Sequence, residues 1–351
     1  AFLWGCLLLA AASICMGLSA HAFFPLIASH FAAPKMSLAI HLFYALLPVV
    51  VLTGVASTCT AVLNSVEHFS IPAIAPVATP LAVLLGAELL GTRCGVWALV
   101  YATLAGALIH TLWVARLMDR KAYRFRLRWY GWDASTREVA GQFVPVLLSS
   151  LVASGGLLVD QSMAAMLPAG SVSALVYAGR FVGVVITLLA GTISSAVTPY
   201  FANLVAQKSW MECKATLRYW TRLLAAISIP MTAMLIGCAH LLIRVAFQHG
   251  AFGVRDTAAV TPVLAMSAIQ IPFFVCSRIS YRLLIALRRT DLIFYCGLLN
   301  LILDIALNLI LMRLWGVAGI ALATSLWTAS TFCFLWIASQ RVLRAAEGGV
   351  V

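Results

Sequence analysis

The sequence has 351 residues, of which 63% are hydrophobic and 10% are charged, with a formal net charge of +12 at pH 7. Soluble domains are nearer half apolar and a quarter charged, so this composition excludes an ordinary soluble fold. Stretches without Asp, Glu, Lys or Arg, such as 1–34 and 181–207, exceed the ~20 residues that a helix needs to cross ~30 Å of hydrocarbon. The sequence therefore predicts an all-α, polytopic membrane protein.

Charges, prolines and glycines divide the apolar stretches into about ten predicted transmembrane helices. Four of them precede a basic connector at 117–138 and six follow it. Two helical lobes are therefore predicted, an N-terminal lobe at 1–116 and a C-terminal lobe at 139–340, followed by a tail at 341–351. In chain order the predicted helices are 2–27, 38–64, 71–91, 95–116, 139–166, 171–203, 219–243, 257–287, 291–312 and 316–340.

The distribution of Lys and Arg predicts the orientation, because positively charged loops stay on the cytoplasmic side. With the N-terminus inside, sixteen of the 23 basic residues fall on the cytoplasmic side, five outside and two at membrane depth. Both ends of the sequence are then cytoplasmic, and topology explains the positive charge without nucleic-acid binding. The aromatic residues of the connector are compatible with a single-strand stacking platform, but contact with anionic headgroups is the favoured interpretation.

Arg180 is one of the two arginines at membrane depth. It lies nine residues after the predicted helix start at Ser171, which places it ~14 Å into the membrane. A charge there costs at least ~2.5 kcal/mol and usually faces a partner or a wet cavity. Asp160, at similar depth on the preceding helix, is the expected ion-pair partner. Contact with an anion is the other interpretation, and both can hold because a paired guanidinium keeps spare donors.

A second polar group lies near the end of the C-terminal lobe. Asn300, Asp304 and Asn308 follow one another at i, i+4 spacing and therefore share one helix face. This face predicts either a cation site in a polar cavity wall or the interhelical hydrogen bonds that membrane bundles commonly use. Arg278 is a candidate for a cavity position, whereas Arg282, one turn further on, is interpreted as an interfacial anchor.

Several functional classes lack their sequence signatures. The nine cysteines are scattered and form no CxxC pair, so we expect neither a metal site nor a disulfide framework. No Walker A, GxSxG or HExxH motif occurs. We therefore expect a protein that is not an enzyme, uses no cofactor and is not driven by ATP.

Four stretches, in order, match one pattern of motifs. The segment "GSVSALVYAGRF" (170–181) is similar to "GSVSxLxYAxRL", and "LNSVEHFSIPAIAPVATPL" (63–81) is similar to "LNxxxxFxxPAxAPxxxN". The segments "AFQHGAFGVRDT" (246–257) and "RLLIALRRTD" (282–291) match two further motifs. Together they resemble the lipid II flippase family (MurJ/MviN), within the multidrug/oligosaccharidyl-lipid/polysaccharide (MOP) exporter superfamily. The resemblance extends over nearly the whole sequence.

The resemblance implies a fold of two six-helix lobes around a central cavity, with a terminal helix pair that forms a lipid groove. This sequence aligns with family helices three to twelve, so we expect a MATE-like fold that is incomplete at both ends. A fragment and a naturally shortened relative both fit that pattern. The family also implies a multi-pass protein of the bacterial cytoplasmic membrane.

The resemblance assigns roles to individual residues. It places Arg180 on the family's cavity arginine and Ser173 on a cavity-lining serine. Arg180, with Arg278 as a second candidate, is then expected to contact the diphosphate of a lipid-linked sugar, because guanidinium groups bind phosphate oxygens in a bidentate manner. Asp160 is expected to hold Arg180 until the substrate binds.

The sequence departs from the family near this arginine. Gly179 stands where an acidic residue is often found, and Gly183 where a polar or acidic one is common. In the separate motif at 63–81, Thr79 replaces an expected asparagine. These departures keep the arginine and remove part of its polar surroundings. They support a lipid-linked anion as the substrate more firmly than lipid II itself.

The expected function is a flippase that moves a polyprenyl-diphosphate-linked sugar from the inner to the outer leaflet by alternating access. Lipid II is the favoured candidate for this substrate. The membrane potential or an ion gradient would drive the transport. One alternative is a cation-coupled exporter of drugs or another glycolipid, and a second is a non-transporting scaffold for cell-wall synthesis enzymes. The expected partners are the lipid-linked substrate and membrane lipids, and we expect a monomer that binds no nucleic acid.

Overall fold

The computed structural model describes residues 2–27, 33–65, 70–121 and 154–347. Helices make up nearly all of this part of the chain, and it contains no β-strand. Eight of its helical stretches are long and apolar enough to cross a membrane, which confirms the predicted all-α, multi-pass membrane protein. In chain order the helices are α1 (Phe2–Ile27), α2 (Ala33–Ser65), α3 (Ser70–Ile74), α4 (Ala78–Cys94), α5 (Val96–Lys121), α6 (154–165), α7 (Ser171–Ala206), α8 (Trp210–Gly237), α9 (Ala239–Phe247), α10 (Val254–Ala268), α11 (Gln270–Ala286) and α12 (Thr290–Glu347).

Helix α12 contains both of the last two predicted membrane helices. Its backbone leaves helical geometry at Trp315 and Gly316. The helix therefore consists of a first arm (290–314) and a second arm (317–347), which correspond to two crossings of the membrane.

The predicted helix at 257–287 is two helices, α10 and α11, separated at Ile269. Pro272 explains the separation, because it has no N–H to bond the carbonyl of Ala268 four residues earlier. Proline is tolerated in the first turn of α11, where its N–H would have no intrahelical partner.

Two helices extend beyond their predicted bounds. Helix α8 begins at Trp210 rather than at residue 219, because Cys213 and Leu217 are both fully buried in the core. The second arm of α12 continues into the predicted tail, since Leu343 is buried against the same core.

One predicted helix is described only in part. Of the prediction at 139–166, residues 154–165 are described, and they form α6. The rest of that helix, and most of the basic connector at 117–138, lie outside the described residues.

The chain divides into two compact units, Ala1–Val144 and Pro145–Val351. In the first unit, α5 packs against both α2 and α4. Thr111 Oγ1 on α5 donates a hydrogen bond to the carbonyl oxygen of Leu52 at 2.9 Å. A Cβ added to Gly106 would lie 2.6 Å from the backbone of α4, so glycine permits this close packing.

The second unit is built around α11, which packs against α7, α8 and α12. Ser325 Oγ on the second arm of α12 donates to the carbonyl oxygen of Met266 on α10 at 2.6 Å. Tyr177 and Phe181 of α7 pack on Phe247, with ring centroids 4.7 and 5.8 Å apart. These aromatic contacts join the beginning of α7 to the end of α9.

Gly95 and Gly316 form the same tight turn in the two units. Both have φ 54° and ψ −131°, a conformation that side chains strongly disfavour. Gly95 joins α4 to α5, and Gly316 joins the two arms of α12. On the second arm, Gly319 lies so close to the first arm that an added Cβ would collide with the carbonyl oxygen of Leu311.

We expect Gly319→Ala to lower the free energy of unfolding by about 2 kcal/mol, because the added methyl group must push the two arms of α12 apart. Gly183→Ala is the matched control, since nothing lies within 4 Å of a Cβ there and alanine favours a helix by ~0.5–1 kcal/mol. Thermal unfolding of both variants in a mild detergent measures the difference. Equal midpoints would show that the arms can separate at no cost.

Candidate functional site

A buried polar cluster joins α6 to both arms of α12. Asn308 on the first arm donates through Nδ2 to Asp160 Oδ1 at 2.7 Å and to Asp304 Oδ1 at 3.0 Å. Thr324 on the second arm donates through Oγ1 to Asp160 Oδ2 at 3.0 Å. Asp304 and Asn308 are 1% and 0% exposed, so these groups lie inside the second unit. We refer to the four residues as the acidic cluster.

Several oxygen atoms in this region lack a hydrogen-bond donor. Asp304 Oδ2 and Asn308 Oδ1 are buried, and no described residue donates to them. Asn300, one turn earlier on α12, also has a buried Oδ1 without a described donor, while its Nδ2 lies 3.8 Å from Cys296 Sγ. Buried polar atoms almost always have a partner. Within the described part of the chain, the three oxygens are open to a water molecule or a cation, and Asp304 Oδ2 can also carry a proton.

The electrostatics of the acidic cluster favour binding of a cation or a proton. Asp160 and Asp304 share the amide of Asn308, and their carboxyl groups lie within interaction range of each other. Two negative charges repel strongly in a low-dielectric interior, and a bound cation or a shared proton removes that repulsion. Oxygen ligands suit hard cations, whereas softer metals prefer Cys and His. This arrangement can therefore hold an ion such as Na⁺.

Gly156 allows α6 to lie against the Asp304 carboxylate. It precedes Asp160 by four residues and so shares its helix face. A Cβ added at Gly156 would lie 3.3 Å from Asp304 Oδ2, which is tighter than an ordinary contact. The neighbouring Gly155 differs, because its added Cβ would lie 3.5 Å from Leu301 Cδ1, at normal packing distance.

Arg180 lies on the side of α7 opposite to the residues that pack into the core. Ala178 and Val182, two residues before and after it, are buried, whereas Arg180 is exposed. Ser173, seven residues earlier, is exposed on the same face. Nothing lies within 4 Å of a Cβ added to Gly183, so the space beside the guanidinium group is open on this helix.

The predicted ion pair between Asp160 and Arg180 is wrong. Both oxygens of Asp160 accept hydrogen bonds from α12, and Arg180 is in none of the ion pairs among the described residues. Similar depth on neighbouring helices does not decide which way each side chain points. Asp160 faces α12, whereas Arg180 faces away from the core of its unit. The expectation that Asp160 holds Arg180 before substrate binding depended on this ion pair and is therefore wrong as well.

Arg278 stacks on aromatic rings of its own helix. Its guanidinium carbon lies 4.2 Å from the ring centroid of Phe274 and 5.8 Å from that of Tyr281. These distances are typical of cation–π contacts. The side chain is partly buried and packs along α11 in this conformation, in contrast to the open position of Arg180.

Sequence reasoning identified part of the acidic cluster. It placed Asp304 and Asn308 on one face, but it assigned Asp160 to a different partner, and it overlooked Thr324 and Gly156. The sequence offered one signal for each of them. Thr324 is a hydroxyl group in an apolar helix, and Gly156 is a glycine one turn before an acidic residue. Neither is specific, since Thr328 looks the same in the sequence and donates only to the Thr324 carbonyl of its own helix.

The chain matches the family profile described as "Lipid II flippase MurJ" over residues 2–351. The chain belongs to the lipid II flippase MurJ family. This confirms the resemblance drawn from the motifs at 170–181 and 63–81. A flippase is a transporter, so the family assignment supports a transport role in a membrane. The identities of the partners, the oligomeric state and the orientation of the termini stay predictions.

Curated relatives show how much of a MurJ protein this chain represents. The "Probable lipid II flippase MurJ" of Synechocystis sp. is 25% identical over 354 residues, which cover 96% of this chain and 66% of the relative. The protein of the same name from Bdellovibrio bacteriovorus is 26% identical over 267 residues, which cover 75% of this chain and 50% of the relative. The chain thus spans one half to two thirds of the length of these relatives.

Solved structures of this fold are similar throughout the chain. "Lipid II flippase MurJ, inward closed conformation" has a TM-score of 0.80 at 22% identity and covers 95% of this chain and 70% of its own. An inward-facing multidrug resistance MATE transporter of the MOP superfamily has a TM-score of 0.86 at 13% identity. The match covers 100% of this chain and 81% of the transporter. The predicted MOP/MATE-like fold is therefore confirmed.

We expect Gly156→Ala to weaken cation binding at the acidic cluster about tenfold, because moving the Asp304 carboxylate by a few tenths of an ångström costs on the order of 1.4 kcal/mol. Gly155→Ala is the matched control, with ordinary contacts for its methyl group. The measurement is the Na⁺ concentration that gives half of the maximal rise in melting temperature in detergent. An equal response of both variants would contradict this placement of the ion.

Proposed function

We propose that this chain forms the translocating core of a flippase that moves a polyprenyl-diphosphate-linked sugar, lipid II in first place, from the cytoplasmic to the outer leaflet. Its family membership supports this proposal, since the curated relatives that match it are named probable lipid II flippases. The membrane would be the bacterial cytoplasmic membrane, with both ends of the chain on the cytoplasmic side.

The observation that carries the proposal is the unpaired guanidinium group of Arg180. A cation in a membrane helix normally has a partner or faces water. Arg180 has no ion-pair partner among the described residues, and it lies exposed on a face of α7 that carries Ser173 and the open position of Gly183. A diphosphate provides the missing negative charge, and a guanidinium group binds it in a bidentate manner.

The glycines near Arg180 suit a bulky headgroup. Gly179 and Gly183 lie next to Arg180 on the helix, and nothing is within 4 Å of a Cβ built at either. Glycine at these positions removes acidic competitors for the guanidinium and leaves room beside it. Arg278 is the weaker candidate for substrate contact, because its guanidinium already stacks on Phe274.

We expect Arg180→Ala to weaken binding of a polyprenyl diphosphate by about tenfold to a hundredfold, because a hydrogen-bonded charge pair contributes ~1.5–3 kcal/mol. Arg180→Lys keeps the charge but loses the planar fork, so its loss should be intermediate. The measurements are titration of the detergent-solubilised chain with undecaprenyl diphosphate and flux of a lipid II analogue into vesicles.

Arg244→Ala is the control for this experiment, because Arg244 is also an exposed arginine of the second unit and lies outside the proposed site. It should bind and transport like the parent chain. A normally folded Arg180→Ala variant with unchanged binding would remove Arg180 from the site. Binding without flux in the parent chain would favour the non-transporting scaffold.

The acidic cluster supports cation coupling as part of the same transporter or of an exporter for another substrate. It links α6 to both arms of α12, so an ion bound there would hold three helical segments together. A cation gradient could then bias the conformation of the second unit, which is the requirement for coupling. This proposal rests on the buried oxygens that have no described donor.

We expect the parent chain to gain about 2.7 kcal/mol of stability at a Na⁺ concentration 100 times its Kd, and Asp304→Asn to lose that gain. Thr324→Val should weaken the Na⁺ response because Asp160 loses a donor, whereas Thr328→Val should keep it. Thermal unfolding in Na⁺ against choline at constant ionic strength measures each gain. If all four proteins respond equally, the ion binds elsewhere. If only low pH stabilises them, the acidic cluster binds a proton rather than Na⁺.

A further inference from the structure

Two loops of the second unit hold a long cationic residue in a backbone conformation that favours glycine. Lys208 follows α7 and Arg288 follows α11, and each has φ 56°. They are the two positive-φ residues other than glycine in the described part of the chain. Left-handed backbone disfavours side chains with a Cβ, and glycine is the usual residue there.

Both residues occupy the same place in the same helix-ending motif. Ser209 N–H bonds the Leu204 carbonyl and Arg289 N–H bonds that of Leu284, which is the six-to-one hydrogen bond of a Schellman motif. Glycine is the common residue at the position that Lys208 and Arg288 fill. The hydrogen bonds of the motif therefore do not require a cation there, although the helix dipole favours a positive charge at this end.

The two loops lie at the same end of the second unit. The beginning of α7 packs on Phe247, the last residue of α9, and on Phe252, in the loop that leads into α10. Helix α11 packs along α7 and follows α10 almost without interruption, so α7 and α11 end on the side opposite to this loop. Lys208 and Arg288 therefore share one membrane face, which the distribution of charge predicts to be cytoplasmic.

This end of the unit has a large excess of positive charge. The segments 207–222, 282–291 and 341–347 contain nine Lys or Arg residues and three acidic residues. We refer to these three segments as the basic end. Its basic residues are Lys208, Lys214, Arg218, Arg222, Arg282, Arg288, Arg289, Arg341 and Arg344.

The acidic residues of the basic end are mostly neutralised within it. Asp291 accepts hydrogen bonds from Arg289, with Nη2 to Oδ2 at 2.9 Å, and Glu347 lies 3.6 Å from Lys214 Nζ. Lys208 and Arg288 are exposed and form no ion pair among the described residues. Lys208 and Arg288 are thus among the cations of the basic end that remain available to a ligand.

We propose that the basic end, with Lys208 and Arg288 as contacts, binds the phosphate groups of anionic membrane lipids. A lipid phosphate lies at the depth where transmembrane helices end, and basic residues at that depth attract anionic headgroups. Arg282, near the carboxyl end of α11, has a buried Nε without an acceptor among the described residues, which leaves this N–H available to an anion. The site is separate from Arg180 and does not depend on the transported substrate.

The test replaces the two cations by the residue that their backbone conformation favours. The double variant Lys208→Gly, Arg288→Gly should melt at the same or a higher temperature in an uncharged detergent, because the strain is relieved. Its affinity for phosphatidylglycerol should fall about fivefold for each charge removed. The measurement is the rise in melting temperature as phosphatidylglycerol is added to the full chain in dodecylmaltoside.

Two control variants separate this site from general charge effects. Arg244→Ala with Arg255→Ala removes two exposed charges outside the basic end and should keep the response to the lipid. Lys208→Asn with Arg288→Asn, which tolerates the left-handed conformation, should lose the response like the glycine variant.

Three results would overturn the proposal. The first is an equal response to phosphatidylglycerol in the parent chain and the glycine variant. The second is a melting temperature of the glycine variant that lies below that of the parent chain by the same amount with and without lipid. This would show that the cations stabilise the helix ends rather than bind a lipid. The third is full protection by inorganic phosphate alone, which would make the ligand a free anion.

Discussion

A carboxylate inside a membrane-spanning bundle has no bulk water around it, so neighbouring helices must supply its hydrogen bonds. Asp160 receives them from Asn308 on one arm of α12 and from Thr324 on the other. For both bonds to form, the two arms must fold back on each other at Gly316 and α6 must lie against both of them. The position of three helical segments thus depends on one buried acidic group.

The two units use the same turn for different purposes. Gly95 and Gly316 have identical backbone angles and each joins a pair of antiparallel helices. Asp304 and Asn308 precede Gly316 by twelve and eight residues, whereas Val83 and Ala87 stand at the same distances before Gly95. The hairpin of the first unit therefore has no polar side chain at the two positions that hold Asp304 and Asn308 in the second unit.

Arg180 and the acidic cluster lie in different surroundings. The cluster lies within the second unit, where its oxygens are shielded from solvent. Arg180 is exposed on a face of α7 that points away from the core of the unit. Under the proposed function, this separation leaves the acidic cluster for a cation and Arg180 for an anionic headgroup.

The sequence by itself determined the membrane class, most of the helices, the break between the last two crossings and the family, because hydrophobic runs, glycines and motifs are local properties of the chain. It also showed that Asn300, Asp304 and Asn308 share a face, since helical spacing is local too. The tertiary structure alone decided that Asp160 meets Asn308 and Thr324, far away in the sequence, and that Arg180 forms no ion pair with another described residue. Sequence predicts how deep a residue lies along its helix. The rotation of each helix about its axis decides which side chains meet, and that rotation is set by packing between distant segments.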